Sequence, residues 1–246
     1  MASDRDLWKE SFLEADFPPF PCPHCRRGNL LLKKETMQKL LPGYWVEARK
    51  HDAWAPDWDV LRFSCLLMCT VPSCGEIVAM GGDITRSMQA GDDHLEWPEW
   101  YAPKFMYPGA PLAAIPEDTP SEVEEALKSS FSLFWGDAAS CAAKLRLSVE
   151  RILDHLGIPS GNLASRIEGL KTSHPDHAEV FDALRHVGNV GAHKGQVGRE
   201  EILDAYEIYQ DRLADIFGGR RTRLKELAQR LIASKGKYLD PKTSLL

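Results

Sequence analysis

Cys22-Pro23-His24-Cys25 and Cys69-Thr70-Val71-Pro72-Ser73-Cys74-Gly75 decide how the first third of this 246-residue chain folds. A two-residue spacer lets one tight turn present two sulfurs, and a four-residue spacer does so more loosely. The two pairs together supply the four thiolates of a tetrahedral zinc site. Gly28 and Gly75 follow the pairs, where such turns call for positive φ. Cys22, Cys25, Cys69 and Cys74 are therefore the expected ligands of one structural zinc ion. Four sulfurs fill its coordination shell, so the ion builds the fold and takes no substrate. Cys65 could replace Cys69 as a ligand, but its strand-like surroundings read as those of a buried thiol. Cys141, on an Ala-rich stretch, reads as core.

Around these pairs, Asn29–Glu35, Val60–Leu67 and Glu76–Ile84 suit short strands. So few short strands bury little apolar area, which makes a metal the expected staple. Residues 1–95 thus read as a small β-rich zinc ribbon. Its insertion, Met37–Trp58, carries Tyr44, Trp45, Trp54 and Trp58, which either pack the ribbon against the helices or grip a partner or a base. Residues 96–118 hold Pro98, Pro103, Pro108, Pro111 and Pro116 and read as an aromatic, Pro-rich linker that excludes helix.

Residues 119–246 are rich in Ala, Leu and Glu at helical spacing, so the fold class expected is mainly α: a helical bundle preceded by the ribbon. Thr119-Pro120-Ser121-Glu122 predicts a capping box at the bundle's first helix. Further helices are predicted over about 138–156, 162–171, 176–192, 202–216 and 224–232. The net charge of -6 argues against nucleic-acid binding by bulk charge. The basic run 218–239 is the local exception and reads as a solvated helix face. No apolar run approaches the roughly 18–20 residues of a membrane helix. The charged start, MASDRDLWKE, does not read as an export signal, so a cytoplasmic location and no membrane partner are expected.

Leu184-Arg185-His186-Val187-Gly188-Asn189-Val190-Gly191-Ala192-His193 is the most informative polar stretch. On a helix, Arg185, Asn189 and His193 fall at i, i+4 and i+8 on one stripe. The run resembles the signature of the domain of unknown function 4145 family, which belongs to the HEPN-like helical superfamily and often accompanies restriction and anti-phage systems. The likeness extends to Leu145-Arg146, Val149-Glu150, Tyr101, Pro103 and the Ile115-Pro116 and Thr119-Pro120 pairs. It implies an RNA-directed defence or toxin component that cleaves RNA without a metal. His193 would be the general acid or base, Arg185 would steady the phosphoryl charge, and Asn189 would orient the phosphate or imidazole. Such sites usually form where two copies face one groove, so a homodimer is expected. Active HEPN ribonucleases place four to six residues between Arg and His, whereas seven separate Arg185 from His193 here, a departure that the 4145 family shares. One further helical turn returns Arg185 to the same face.

The competing expectation is a non-catalytic module that dimerises through the bundle. RNA or a protein would then be held by the ribbon or the aromatic loop. In that reading Asn189 and His193 cap and cross-link helices, Arg185 pairs with an acid such as Glu150, and Arg146 with Glu150 is otherwise an ordinary i, i+4 salt bridge. No phosphate-binding glycine loop, dinucleotide fingerprint or Gly-x-Ser-x-Gly motif is present.

Overall fold

The computed structural model describes residues 5–90, 95–194 and 197–235, apart from the side chains of residues 191–194 and 220–222. Its strands are β1 (Phe12–Leu13), β2 (Leu30–Leu32), β3 (Gln38–Leu40), β4 (Leu61–Cys69), β5 (Ile77–Arg86), β6 (Gln89–Ala90), β7 (Leu95–Glu96) and β8 (Glu99–Tyr107). The helices are α1 (Gly43–Ala48), α2 (Ser121–Leu133), α3 (Ala138–His155), α4 (Leu163–Leu170), α5 (Pro175–Lys194), α6 (Arg199–Phe217) and α7 (Arg220–Ala233). Six strands form one antiparallel sheet in the order β1-β8-β5-β4-β2, with β3 also paired to β4.

This architecture overturns the expectation of a mainly α protein with a small ribbon. The chain is mixed α/β, because β4, β5 and β8 are nine or ten residues long and contribute ten buried apolar side chains, Leu61 to Met106, to the core. Residues 99–107, expected within a linker, form β8 between β1 and β5. A proline inside a strand ordinarily breaks the ladder. Pro103 is accommodated because the β5–β8 register shifts between Gly81 and Gly82, so it sits at a bulge opposite Gly82.

Period-2 alternation divides the sheet into two faces. Leu61, Phe63, Cys65, Leu67 and Cys69 of β4 are buried, while Arg62, Ser64 and Leu66 are exposed. The buried face shares one core with the helices through an aromatic seam. Trp8 packs on Phe20, Phe134 and Trp135, with ring centroids 5.4, 5.5 and 6.1 Å apart.

The helices lie close to their expected spans, but α2 starts differently. Pro120, not Thr119, precedes its first residue, and Glu122 accepts a bond from Ser121 rather than reaching back. Thr119 Oγ1 is buried with no hydrogen-bond partner among the described residues. Asp137 caps α3 through the Ser140 N–H at 2.9 Å, and Asn162 caps α4 through Ser165 at 2.9 Å. α3 packs against both α2 and α5, and α6 closes on α5 and α3.

The aromatic insertion folds back on the sheet through a fully buried carboxylate. Asp59 accepts bonds from Arg49 at 3.0 and 2.5 Å and from Trp54 Nε1 at 3.3 Å, with Arg86 at 3.5 Å. The Arg49 bond, the largest influence, holds the Asp59 carboxyl below its usual range. Such a group stabilises the fold above the ordinary carboxylate pKa, and that stability is lost as pH falls through its lowered value. Asp59→Asn is expected to cost about 1–3 kcal/mol at pH 7. In urea melts the gap from the parent should narrow as pH falls; a gap independent of pH would contradict the assignment.

Candidate functional site

The two cysteine pairs converge where the sequence places them. The four sulfurs of Cys22, Cys25, Cys69 and Cys74 lie within 4.8 Å of one another. Cys22 Sγ stands 3.8 Å from Cys74 Sγ, and Cys25 Sγ 3.6 Å from Cys69 Sγ. A tetrahedron with bonds of about 2.3 Å has edges of about 3.8 Å, so these two distances match such edges and the cluster is compatible with a four-coordinate metal. Cys69 ends β4, whose Leu67–Cys69 pair with β2, and this ladder brings the two turns together. Gly28 is required there: a Cβ would stand 2.7 Å from Cys69 Sγ and 2.8 Å from a Val71 methyl. Gly75 takes φ +59, in the left-handed region.

The thiols of the cluster are shifted in opposite directions, and burial pushes that of Cys69 up to about 12. The backbone N–H of Arg27, then that of Gly28, point at Cys25 and lower its thiol to about 6. Burial pushes Cys22 up, so it would keep its proton until a metal displaces it. Cys65 lies outside the cluster, buried on β4, with its thiol raised to about 12 by burial. Cys141 is buried beside the Ser130 hydroxyl, 3.3 Å away.

A latch joins this centre to the helices. Arg26 follows Cys25 with φ 55, an uncommon conformation for a non-glycine residue. Its guanidinium donates to the Ile115 carbonyl at 2.9 Å and pairs with Glu124 on α2. Nothing in the local sequence signals this contact, because its partners lie about ninety residues away.

The second candidate region is α5. The helix runs without interruption from Pro175 to Lys194, across both Gly188 and Gly191. Arg185, Asn189 and His193 therefore keep the i, i+4, i+8 relation on its backbone. The His193 side chain lies outside those described. Arg185 is four-fifths buried; its Nε donates to Asp182 at 2.8 Å and its Nη2 meets His186 Nε2 at 2.9 Å. Its acid partner is thus Asp182, while Glu150 pairs with Arg146 at 3.0 Å. Asn189 is half-buried.

Gly188 has a packing reason. A Cβ there would stand 2.5 Å from Arg146 Cβ and 3.1 Å from the Ala142 carbonyl of α3. The helices touch at this point, and Arg146 is drawn beside the Arg185–Asn189 stripe. Gly188→Ala sets a helix-propensity gain of about 1 kcal/mol against an overpacking cost of about 1–3 kcal/mol. Because the obstruction is a Cβ and a backbone carbonyl rather than a mobile chain end, destabilisation is expected. A raised thermal midpoint would contradict this close approach.

Two family models match the chain. Residues 10–108 are similar to a domain of unknown function (DUF8608), and residues 128–234 to a second domain of unknown function (DUF4145). The first match ends just beyond β8 and the second begins inside α2. No curated protein and no solved structure matches the chain. Among the described residues, no helix is long and apolar enough to cross a membrane.

Proposed function

We propose that one zinc ion fills the four-thiol cluster as a structural staple, and that the helical part is a HEPN-type ribonuclease acting through the α5 face. The observation that carries the second statement is the continuity of α5, which keeps Arg185, Asn189 and His193 in helical register despite two glycines. In this reading His193 moves the proton of the attacking or leaving ribose oxygen. Arg185 balances the charge that gathers on the phosphorane, and Asn189 orients the phosphate. Two copies of the stripe would line one groove, and the chemistry needs no metal. The zinc, with four sulfurs bound, supplies only the geometry of the turns.

A second reading has its own support. Arg185 is neutralised by Asp182 and packed rather than displayed, which suits a non-catalytic module that holds RNA or a protein. For Arg185 to meet a phosphate, the anion must displace Asp182.

The two readings separate in one assay. Zinc-loaded parent, His193→Ala and Arg185→Ala proteins are incubated with tRNA and with total RNA, without added divalent ions. The ribonuclease reading expects cleavage by the parent and a loss of about 100-fold or more in the His193 variant, the usual range for a general acid or base. Cleavage that survives His193→Ala rejects the assigned role, and binding without cleavage by a folded parent supports the module. A chelator strong enough to strip zinc should lower the unfolding temperature of all three proteins alike.

A further inference from the structure

The outer face of the sheet is apolar where an antiparallel sheet facing water ordinarily alternates to polar residues. Register places its exposed side chains in rows across the strands. Leu31 of β2 is opposite Met68 of β4, which is opposite Ile77 of β5. In the next row Leu66 is opposite Ala79, and Ala79 opposite Tyr107 of β8. In the third, the exposed Ser64 of β4 is opposite Gly81 and Gly81 opposite Phe105, and a Cβ on Gly81 would fall 2.5 Å from that ring. The phenyl group therefore lies over the glycine and keeps the face flat.

The exposed fractions are 52% for Leu31, 36% for Leu66, 52% for Ile77, 46% for Phe105 and 70% for Tyr107. At about 200 Å² for a fully exposed large side chain, these five expose on the order of 500 Å². Leu40, Met68 and Ala79 extend the same face. A patch of this size is at the upper end for a monomer and approaches the roughly 800 Å² that each partner gives to a stable interface. The three rows carry no charge. Beyond them Arg62 and Asp83, opposite each other, neutralise one another at 2.6 Å. Among the described residues these rows offer no cation to a phosphate; Lys104, the exposed bulge residue beside Phe105, lies outside them. The uncharged rows do let two copies of a chain with net charge -6 approach.

From this geometry we infer that the outer sheet face is a self-association surface, on which a second copy of this chain packs sheet against sheet about a two-fold axis. The surface is separate from the α5 stripe and goes beyond the reading of that stripe as a nuclease site.

Light scattering on a sizing column tests the inference, with far-UV circular dichroism confirming the fold. The parent should contain an even number of copies at micromolar concentration. Tyr107→Glu combined with Leu66→Glu should halve the mass, whereas Asn189→Ala should leave the sheet-mediated pairing intact. The milder Ile77→Thr should weaken association at least tenfold on dilution, and it serves if the double variant fails to fold. A parent with one copy per particle overturns the inference. So do folded sheet variants that keep the parent's mass, or a mass that falls only when α5 is altered.

Discussion

Four sulfurs held within a metal's reach constrain most of what surrounds them. Cys22 and Cys25 precede β2, Cys69 ends β4, and Cys74 leads into β5, so the cluster fixes where three neighbouring strands begin or end. Gly28 has no room for a side chain against Cys69 and Val71, and Gly75 must turn left-handed to start β5. The same turn projects Arg26 to Ile115 and Glu124. The geometry of the thiol cluster is thereby transmitted to the start of the helical part. Trp8, Phe20, Phe134 and Trp135 then close the seam with aromatic surface. Burial of such rings contributes more than the exposed ion pairs around them, whose individual worth is small.

What the amino-acid order reveals follows from the range of the interactions. The cysteine turns are legible because each pair is local and only the meeting of the two is long-range. The helices are legible because their apolar period survives over many turns. β8 is not, since five prolines in 96–118 read as a linker. Pro103 becomes acceptable only beside a bulge whose extra residue, Lys104, is passed over between Gly81 and Gly82 of the neighbouring strand. The capping signal of Thr119 and Glu122 is present in the sequence yet goes unused, because the chain enters α2 from Pro120. Asp59 looks like any acid in a turn. Its burial depends on Arg49, Trp54 and Arg86 converging after the insertion folds back.

On α5 the spacing was legible and the surroundings were not. Periodicity puts Arg185 and Asn189 on one stripe, but it does not say that Asp182, one turn earlier, would take the guanidinium. Nor does it say that Gly188 is there to admit Arg146. These neighbours decide how much of the stripe is free to meet a ligand. The sheet's outer rows are similar: alternation alone marks Leu31, Leu66 and Ile77 as facing one way, while only the register shows that they adjoin Phe105 and Tyr107.

The claim on which the account most depends is that the four thiolates hold a metal. Metal content per chain, measured on protein purified without added metal and paired with titration of reactive thiols before and after denaturation, tests it most directly. One zinc per folded chain is expected, with Cys22, Cys25, Cys69 and Cys74 protected until the metal is released. Folded protein that carries no metal, and whose four cysteines react freely or are joined as disulfides, would contradict it.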